Sequence, residues 1–104
     1  MKLLFFSFMC AVVLSAQSST RAVEGTVTDS SGKAVSRAVV KLQNPRTLVI
    51  RSYYTGRKGK YHFTGLSTYQ DYQLRADFKS TSSDWQWLTR FDSGKRAKLD
   101  LHLK

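Results

Sequence analysis

Apolar and polar residues alternate with a period of two along much of the chain. In residues 72–78 (YQLRADF), for example, Tyr72, Leu74, Ala76 and Phe78 alternate with polar residues. Because successive side chains of a strand point to opposite faces, this pattern predicts a strand with one buried face. Similar runs recur between turn-forming stretches such as residues 29–32 (DSSG), and about seven can be distinguished. The sequence therefore predicts an all-β sandwich of two sheets and no helix.

The first sixteen residues differ in character from the rest of the chain. Lys2 provides a basic start, residues 3–14 (LLFFSFMCAVVL) are apolar except for one serine, and small residues follow. This order is typical of a secretory signal peptide, and the apolar run is shorter than the ~20 residues of a membrane-spanning helix. We expect a cleaved signal peptide at 1–16, a flexible segment at 17–22 and one domain at 23–104. The protein would be secreted or periplasmic, with no transmembrane segment after cleavage.

Cys10 is the single cysteine and lies within that apolar run. A lipid-anchor signal would place small residues before such a cysteine, whereas Phe8 and Met9 precede it here, so we expect Cys10 to leave with the signal peptide. The remaining chain would form no disulfide and would depend on its apolar core. It would keep 16 Lys and Arg against 7 Asp and Glu, a net charge of +9. That charge favours anionic partners such as acidic polysaccharides or phospholipid headgroups, or serves solubility alone.

Four short motifs follow one another along the chain. They are G-x-V-x-D-x-x-G-x-x-V-x-x-A-x-V-x-L from Gly25 to Leu42, T-x-x-x-G-x-Y-x-F-x-x-L from Thr55 to Leu66, Y-x-L-x-A from Tyr72 to Ala76, and leucines at 99, 101 and 103. Together they resemble the carboxypeptidase regulatory-like domain family over residues 21–103. The resemblance implies a prealbumin-like Greek-key β-sandwich of seven strands. It also implies a module that is not itself a catalyst.

The residues of the first motif are explained by architecture alone. Gly25 allows close packing, Asp29 and Gly32 can form a tight turn, and Ala38 is small enough to lie where the two sheets approach. The chain departs from the usual family pattern at Arg37, where glycine is common. We expect none of these residues to contact a substrate.

Two stretches of large residues leave the direction of their side chains open. In residues 48–55 the inward set is either Leu48, Ile50 and Tyr54 or Val49 and Tyr53. In residues 85–91, Trp85, Trp87 and Phe91 share one face and could form a platform for sugar rings. Large aromatic residues also contribute heavily to small cores, so we expect Trp87 and Phe91 in the core. Trp85 is left open between the rim of the core and a platform.

Two basic turns complete the set of candidate binding residues. The first holds Arg57, Lys58 and Lys60, and the second holds Lys95, Arg96 and Lys98. If both turns lie at one end of the sandwich, their fields add and favour an anionic partner. If they lie at opposite ends, they are ordinary solvated loops. Nucleic-acid binding is not expected, because exposed aromatic residues do not interleave with these charges.

The sequence carries no motif of an enzyme. His62 and His102 alternate with residues predicted to face inward, so both should point to solvent, with Asp100 beside His102. Zinc hydrolysis requires several convergent ligands, and the G-x-S-x-G nucleophile elbow does not occur. We expect no catalytic residue, metal site or cofactor. An enzyme that uses His62, Asp100 and His102 is the alternative that bound metal would support.

These observations predict an exported, non-catalytic β-sandwich module. Its partner would be a polysaccharide, an anionic envelope surface or another envelope protein, with Trp85, Trp87 and the basic turns as candidate contacts. The alternative is a structural or assembly protein with no small ligand, in which an exposed edge strand pairs with a protein partner.

Overall fold

The computed structural model describes residues 20–91 and 94–104, which form short strands and no helix. The strands are β1 (Thr20–Thr28), β2 (Val39–Gln43), β3 (Ile50–Tyr54), β4 (Lys60–Ser67), β5 (Tyr72–Phe78), β6 (Thr81–Ser82), β7 (Gln86–Leu88), β8 (Arg96–Lys98) and β9 (Leu101–His102). They form two sheets. The smaller sheet has the order β4–β1–β8 with β9 also on β1, and the larger has the order β3–β2–β5–β6 with β7 also on β5.

The nine segments occupy seven strand positions within the described residues. β8 and β9 pair in parallel with successive parts of β1, and β6 and β7 pair with successive parts of β5. Each pair of segments therefore behaves as one interrupted strand. This arrangement confirms the predicted seven-stranded Greek-key β-sandwich.

The core lies between the sheets and is built from alternate residues of the strands. Of the predicted inward residues of β5, the first three are buried and Phe78 packs partly buried against the core. Val23 and Val27 of β1 are buried as well. The other buried apolar residues are Val35, Ala38, Val40, Leu42, Tyr61, Phe63, Leu66, Leu88, Leu101 and Leu103. Tyr53, rather than Ile50 or Tyr54, packs on this core from β3. Of the two side-chain orientations considered for residues 48–55, the one with Tyr53 inward is observed.

Gly25 is required by the interruption between β8 and β9. A Cβ at this position would lie 1.8 Å from the carbonyl oxygen of Leu99, which bends in toward β1. The hydroxyl of Tyr61 donates to the same oxygen at 2.5 Å, and burial raises the pKa of this phenol. The predicted close packing at Gly25 is confirmed.

The loop after β1 is also explained by the residues predicted to shape it. Asp29 Oδ1 accepts the N–H groups of Ser31 at 2.9 Å and Lys33 at 3.0 Å, and Gly32 has a φ of 86°. Arg37 has a φ of 62° and donates its N–H to the Thr55 carbonyl at 2.9 Å. This left-handed conformation accounts for the glycine that is usual at this position in the family.

The N-terminal boundary differs in one respect from the sequence-based division. β1 begins at Thr20, so residues 20–22 belong to the smaller sheet rather than to a flexible segment. The predicted signal peptide at 1–16, with Cys10, lies outside the described residues. Within the described ranges, no helix is long and apolar enough to span a membrane.

Candidate functional site

The outer face of the larger sheet gathers polar and aromatic side chains from four strands. Strand register places Ile50 opposite Gln43, Gln43 opposite Gln73, and Gln73 opposite Trp87. The next rows add Ser52, Lys41 and Arg75, and then Tyr54, Val39 and Asp77. We call this surface the sugar face, after the sequence-based hypothesis that its tryptophans form a platform for sugar rings. It has amides and charges in the middle and large apolar side chains along both edges.

Trp87 lies on the sugar face and not in the core. Its neighbour Leu88 pairs with Tyr72 and is completely buried, so strand alternation turns Trp87 outward, where it is 50% exposed. Phe91 is 80% exposed. The expectation that Trp87 and Phe91 fill the core is therefore wrong. Leu88 takes the inward position of β7 instead. Because side chains alternate along a strand, the odd-numbered residues beside it face outward.

Trp85 covers a charged network in the middle of the sugar face. The guanidinium of Arg75 lies 4.9 Å from the centre of its ring, and Arg75 Nε lies 3.2 Å from Asp77 Oδ1. The ammonium of Lys41 lies 3.1 Å from Asp77 Oδ2, and Ser82 donates to Oδ1 at 2.5 Å. Partial burial by itself raises the pKa of Asp77, but the Ser82 hydroxyl and the two cations outweigh it and lower that pKa. The network holds Arg75 against one face of Trp85, whose side chain is 37% exposed.

The structure does not bring the two basic turns together. Lys60 pairs with Thr26 near the end of β1, whereas Arg96 pairs with Ala22 near its start. Arg57 and Lys58 therefore lie at one end of the sandwich and Lys95 at the other. The side chains of Lys60, Arg96 and Lys98 are exposed on the smaller sheet, away from both tryptophans. The alternative in which the two basic turns are separate, solvated loops at opposite ends is therefore the one observed.

The three residues of the enzyme alternative are engaged separately. The ring of His62 lies 4.9 Å from that of Tyr53, and Asp100 accepts the backbone N–H of Thr26 at 3.0 Å. His102 Nδ1 lies 2.5 Å from the hydroxyl of Thr28. Within residues 20–91 and 94–104, no three His, Cys, Asp or Glu side chains are grouped to hold a metal ion.

Sequence reasoning missed one end of the sandwich, which we call the apolar end. It consists of the loops 44–49, 68–71 and 89–91 together with Lys95. Each loop exposes a large side chain: Leu48 is 68% exposed, Tyr69 is 72% exposed, and Phe91 is the third. The opposite end, the polar end, consists of the loops 29–37, 56–59 and 79–80. The signal was available, since each loop of the apolar end holds at least one large apolar residue beside turn-forming or polar ones.

Arg21 was also missed, although alternation could have located it. It precedes Val23 and Gly25 in the inward set of β1, and it is buried. Its guanidinium donates to the Thr89 carbonyl at 2.8 Å and to the Gln70 carbonyl at 3.1 Å. One buried cation therefore connects β1 with two of the three loops of the apolar end.

Fold and surface together define a β-sandwich module with an aromatic, hydrogen-bonding outer face. A family model, the carboxypeptidase regulatory-like domain, matches residues 22–104. The chain belongs to this family. A search of curated protein sequences found no match.

Solved structures share the fold at low sequence identity. The major pilin subunit BcpA of Bacillus cereus matches with a TM-score of 0.67 and 16% identity, over 82% of this chain and 30% of the pilin. A candidate carbohydrate-binding protein from Pseudomonas aeruginosa matches with a TM-score of 0.60 and 13% identity, over 81% of this chain and 88% of that one. The chain thus spans less than a third of the pilin's length.

The same fold also occurs in an oxygenase. The dioxygenase domain of a dioxygenase carbohydrate-binding protein fusion from Streptomyces sp. SirexAA-E matches with a TM-score of 0.60 and 14% identity, over 88% of this chain and 84% of that one. Pilin subunits, a candidate carbohydrate-binding protein and an oxygenase domain therefore share one architecture. The function of this chain has to be argued from its own surface.

Proposed function

We propose that the chain is an exported, non-catalytic module that binds a polysaccharide on its sugar face. The observation that carries the proposal is the outward position of Trp85 and Trp87 beside the amides of Gln43 and Gln73. Aromatic rings can stack on the apolar faces of sugar rings, and amides offer both donors and acceptors to hydroxyl groups. Few large residues of a soluble domain remain exposed without a binding role when they lie together.

The charges of the sugar face favour a neutral or weakly acidic glycan. Lys41 and Arg75 both pair with Asp77, so two cations share one carboxylate and the residual charge is small. A strongly anionic chain would find Lys60 and Lys98 exposed on the smaller sheet, where no tryptophan lies. The two tryptophans and the amides therefore favour a glycan that is bound through ring stacking and hydroxyl contacts, and not one that is bound through its charge.

Intrinsic fluorescence provides a direct test, because Trp85 and Trp87 are the only tryptophans of the chain. Titration with soluble polysaccharides of different composition should change the emission for the glycan that binds. Trp85→Ala and Trp87→Ala should each weaken that binding by about tenfold. Affinity electrophoresis in gels that contain the glycan measures the same loss without relying on fluorescence.

Tyr69→Ala is the matched control, because it removes an exposed aromatic ring from the apolar end. It should leave glycan affinity unchanged. Unfolding transitions of all three variants should lie close to the original, since each side chain is exposed. The proposal fails if no glycan binds, if both tryptophan variants retain full affinity, or if Tyr69→Ala weakens binding equally.

One specific observation favours assembly as the second candidate function. β3 is the terminal strand of the larger sheet, and it exposes Ile50 and Tyr54. Its one charged residue, Arg51, turns toward β4 and donates to the Thr64 carbonyl at 2.9 Å. The edge therefore carries no outward charge to oppose an added strand. Ile50→Lys should abolish capture of a stoichiometric protein partner, and Lys79→Ala should not.

A further inference from the structure

The three loops of the apolar end converge on one small area of the surface. The side chain of Asn44 hydrogen-bonds that of Gln70, and Asp71 Oδ1 accepts the backbone N–H of Arg90 at 2.6 Å. A shallow cleft of about 130 Å³ between the loops is lined by residues of all three, among them Arg46 and Tyr69. The exposed side chains of Leu48, Tyr69 and Phe91 are therefore carried by three loops that meet at this end, and we call the three together the apolar patch.

Cations accompany these apolar side chains. Arg46 precedes Leu48 by two residues, Arg90 lies 5.1 Å from the ring of Phe91, and Lys95 borders the third loop; all three cations are exposed. The carboxylate of Asp71 is engaged by a backbone N–H, and Asp92 lies outside the described residues. The described part of the apolar end thus combines protruding apolar groups with positive charge.

The backbone of the loop that carries Leu48 satisfies its own hydrogen bonds. Leu48 N–H donates to the Asn44 carbonyl at 2.7 Å, and Asn44 N–H donates to the Val49 carbonyl at 3.0 Å. Asn44 Oδ1 accepts the N–H groups of Arg46 at 2.9 Å and Thr47 at 3.3 Å. A loop paired in this way loses little when it leaves bulk water for a less polar medium.

Leu48 occupies an unfavourable backbone conformation. Its φ is 63°, in the left-handed region that glycine or asparagine usually occupies. A leucine in such a turn costs conformational free energy, and it exposes an apolar side chain as well. Strained residues of this kind are concentrated where a function requires the side chain.

We propose that the apolar end docks on an anionic phospholipid surface. Leu48, Tyr69 and Phe91 enter the headgroup region, while Arg46, Arg90 and Lys95 contact lipid phosphates. The three apolar groups stand on separate loops, and of the three only Tyr69 lines the shallow cleft. Separate apolar groups of this kind suit a fluid interface better than a shaped protein partner. Docking at this end leaves the sugar face exposed, so the proposal is independent of glycan binding.

Vesicle sedimentation tests the proposal on the full chain. The chain should bind vesicles of phosphatidylglycerol and phosphatidylcholine, and it should bind phosphatidylcholine alone much more weakly. Leu48→Ser combined with Phe91→Ser should weaken binding by about tenfold or more. Arg46→Gln combined with Arg90→Gln should weaken it by about fivefold for each charge removed.

Arg57→Gln combined with Lys58→Gln is the matched control at the polar end. It removes the same charge about 30 Å away, which is the length of a nine-residue strand. That distance exceeds the Debye length of about 8 Å, so binding should change by less than about twofold. Each variant is also measured as a chain that begins at residue 17, because the apolar run 3–14 can bind vesicles by itself, and the same losses are expected there.

A fluorophore shows which end enters the interface. In a Cys10→Ser background, Tyr69→Cys and Lys33→Cys each accept one environment-sensitive label, at the apolar and polar ends respectively. Anionic vesicles should shift the emission to shorter wavelength at position 69 and leave position 33 unchanged. No shift at position 69 in a vesicle-bound chain would overturn the proposal.

Three further results would also overturn it. The chain could fail to bind anionic vesicles, or the polar-end control pair could lose as much affinity as the apolar-end pair. Analytical ultracentrifugation of the protein alone could instead reveal a stable dimer that Leu48→Ser abolishes, while no vesicle binding is found. That last result would assign the patch to self-association.

Discussion

The two ends of the sandwich accept the backbone N–H groups of their turns with different side chains. At the polar end, the ionised carboxylate of Asp29 accepts the N–H groups of the turn that follows it. At the apolar end, the neutral amide of Asn44 does the same for its own turn. The one large apolar residue of the polar-end loops, Val35, is buried, whereas Leu48 of the apolar end is exposed. Both turns are well formed, but only one is charged at its centre.

The two ends also differ in what ties their loops to the sheets. The polar end is held by uncharged hydrogen bonds between its loops and strands, such as the Val27 N–H donated to the Gly59 carbonyl at 2.8 Å and the Arg37 N–H donated to the Thr55 carbonyl at 2.9 Å. The apolar end depends on Arg21, which reaches carbonyls 49 and 68 residues away in sequence. An end with protruding apolar side chains cannot gain stability by burying them, so it requires a long-range anchor. The comparison predicts different responses of the two ends to substitution.

Arg21→Met should have the largest effect. The buried hydrogen bonds to the Thr89 and Gln70 carbonyls would be lost, at a cost of about 3 kcal/mol in the free energy of unfolding. Amide exchange should accelerate in 68–71 and 89–90 before it does so in 29–33. Arg57→Met, an exposed arginine at the polar end, should cost less than about 0.5 kcal/mol. Uniform acceleration at both ends would show that Arg21 does not anchor one end selectively.

Gly59→Ala should be next in size and should act on the polar end. The new Cβ would lie 2.8 Å from the Val27 carbonyl oxygen, at a residue with a φ of 70°. We expect a loss of about 2 kcal/mol in chemical denaturation, without a change in vesicle binding. Gly56→Ala is the matched control, because no atom lies within 4 Å of its Cβ position. Equal losses in the two variants would contradict this explanation.

Leu48→Gly and Arg37→Gly compare strained residues from the two ends. Both positions have a positive φ, so glycine should stabilise the fold by about 1 kcal/mol in each case. Only Leu48→Gly should weaken vesicle binding, because only Leu48 belongs to the apolar patch. Thermal unfolding and vesicle sedimentation of the two variants measure these effects side by side. Full vesicle binding by Leu48→Gly would remove Leu48 from the proposed interface.

The smallest expected effect is an acid response confined to the polar end. The Ser31 hydroxyl and backbone N–H groups lower the pKa of Asp29 below 3.8. Because the folded-state pKa is depressed, the stabilisation is present above the unfolded-state pKa and is lost as pH falls through the folded value. Exchange protection of the Ser31 and Lys33 amides should therefore decrease below pH 3.8. Protection of the Thr47 amide, bonded to a neutral side chain, should not follow that titration.

The fold could be predicted because alternation and turn chemistry agreed along most of the chain. In β5 the inward set Tyr72, Leu74 and Ala76 has polar neighbours, so a single face was available. Asp29 and Gly32 indicated a turn, and both take the predicted roles. In β1 the same alternation extends back to Arg21, but a charge at an inward position conceals the pattern unless its buried partners are known.

The candidate site was harder to predict because both faces of β7 carry large apolar residues. Trp87 and Leu88 each fit an inward position, and only the pairing of Leu88 with Tyr72 decides between them. Sequence also cannot say which turns share an end. Arg57 and Lys95 lie at opposite ends because β4 pairs with β1 in the antiparallel sense and β8 pairs with it in the parallel sense. These pairings are long-range contacts that no local sequence pattern encodes.

β1 lies between β4 and the interrupted strand formed by β8 and β9, so the first strand of the domain closes its sheet with the last. During synthesis, the outward edge of β1 has no partner until residues 96–102 emerge. The apolar interior of this domain therefore stays open until those residues have been synthesised, and the domain cannot complete its folding before then. A chain truncated before residue 96 should therefore be partly folded and prone to aggregation, and it should not form a smaller stable domain.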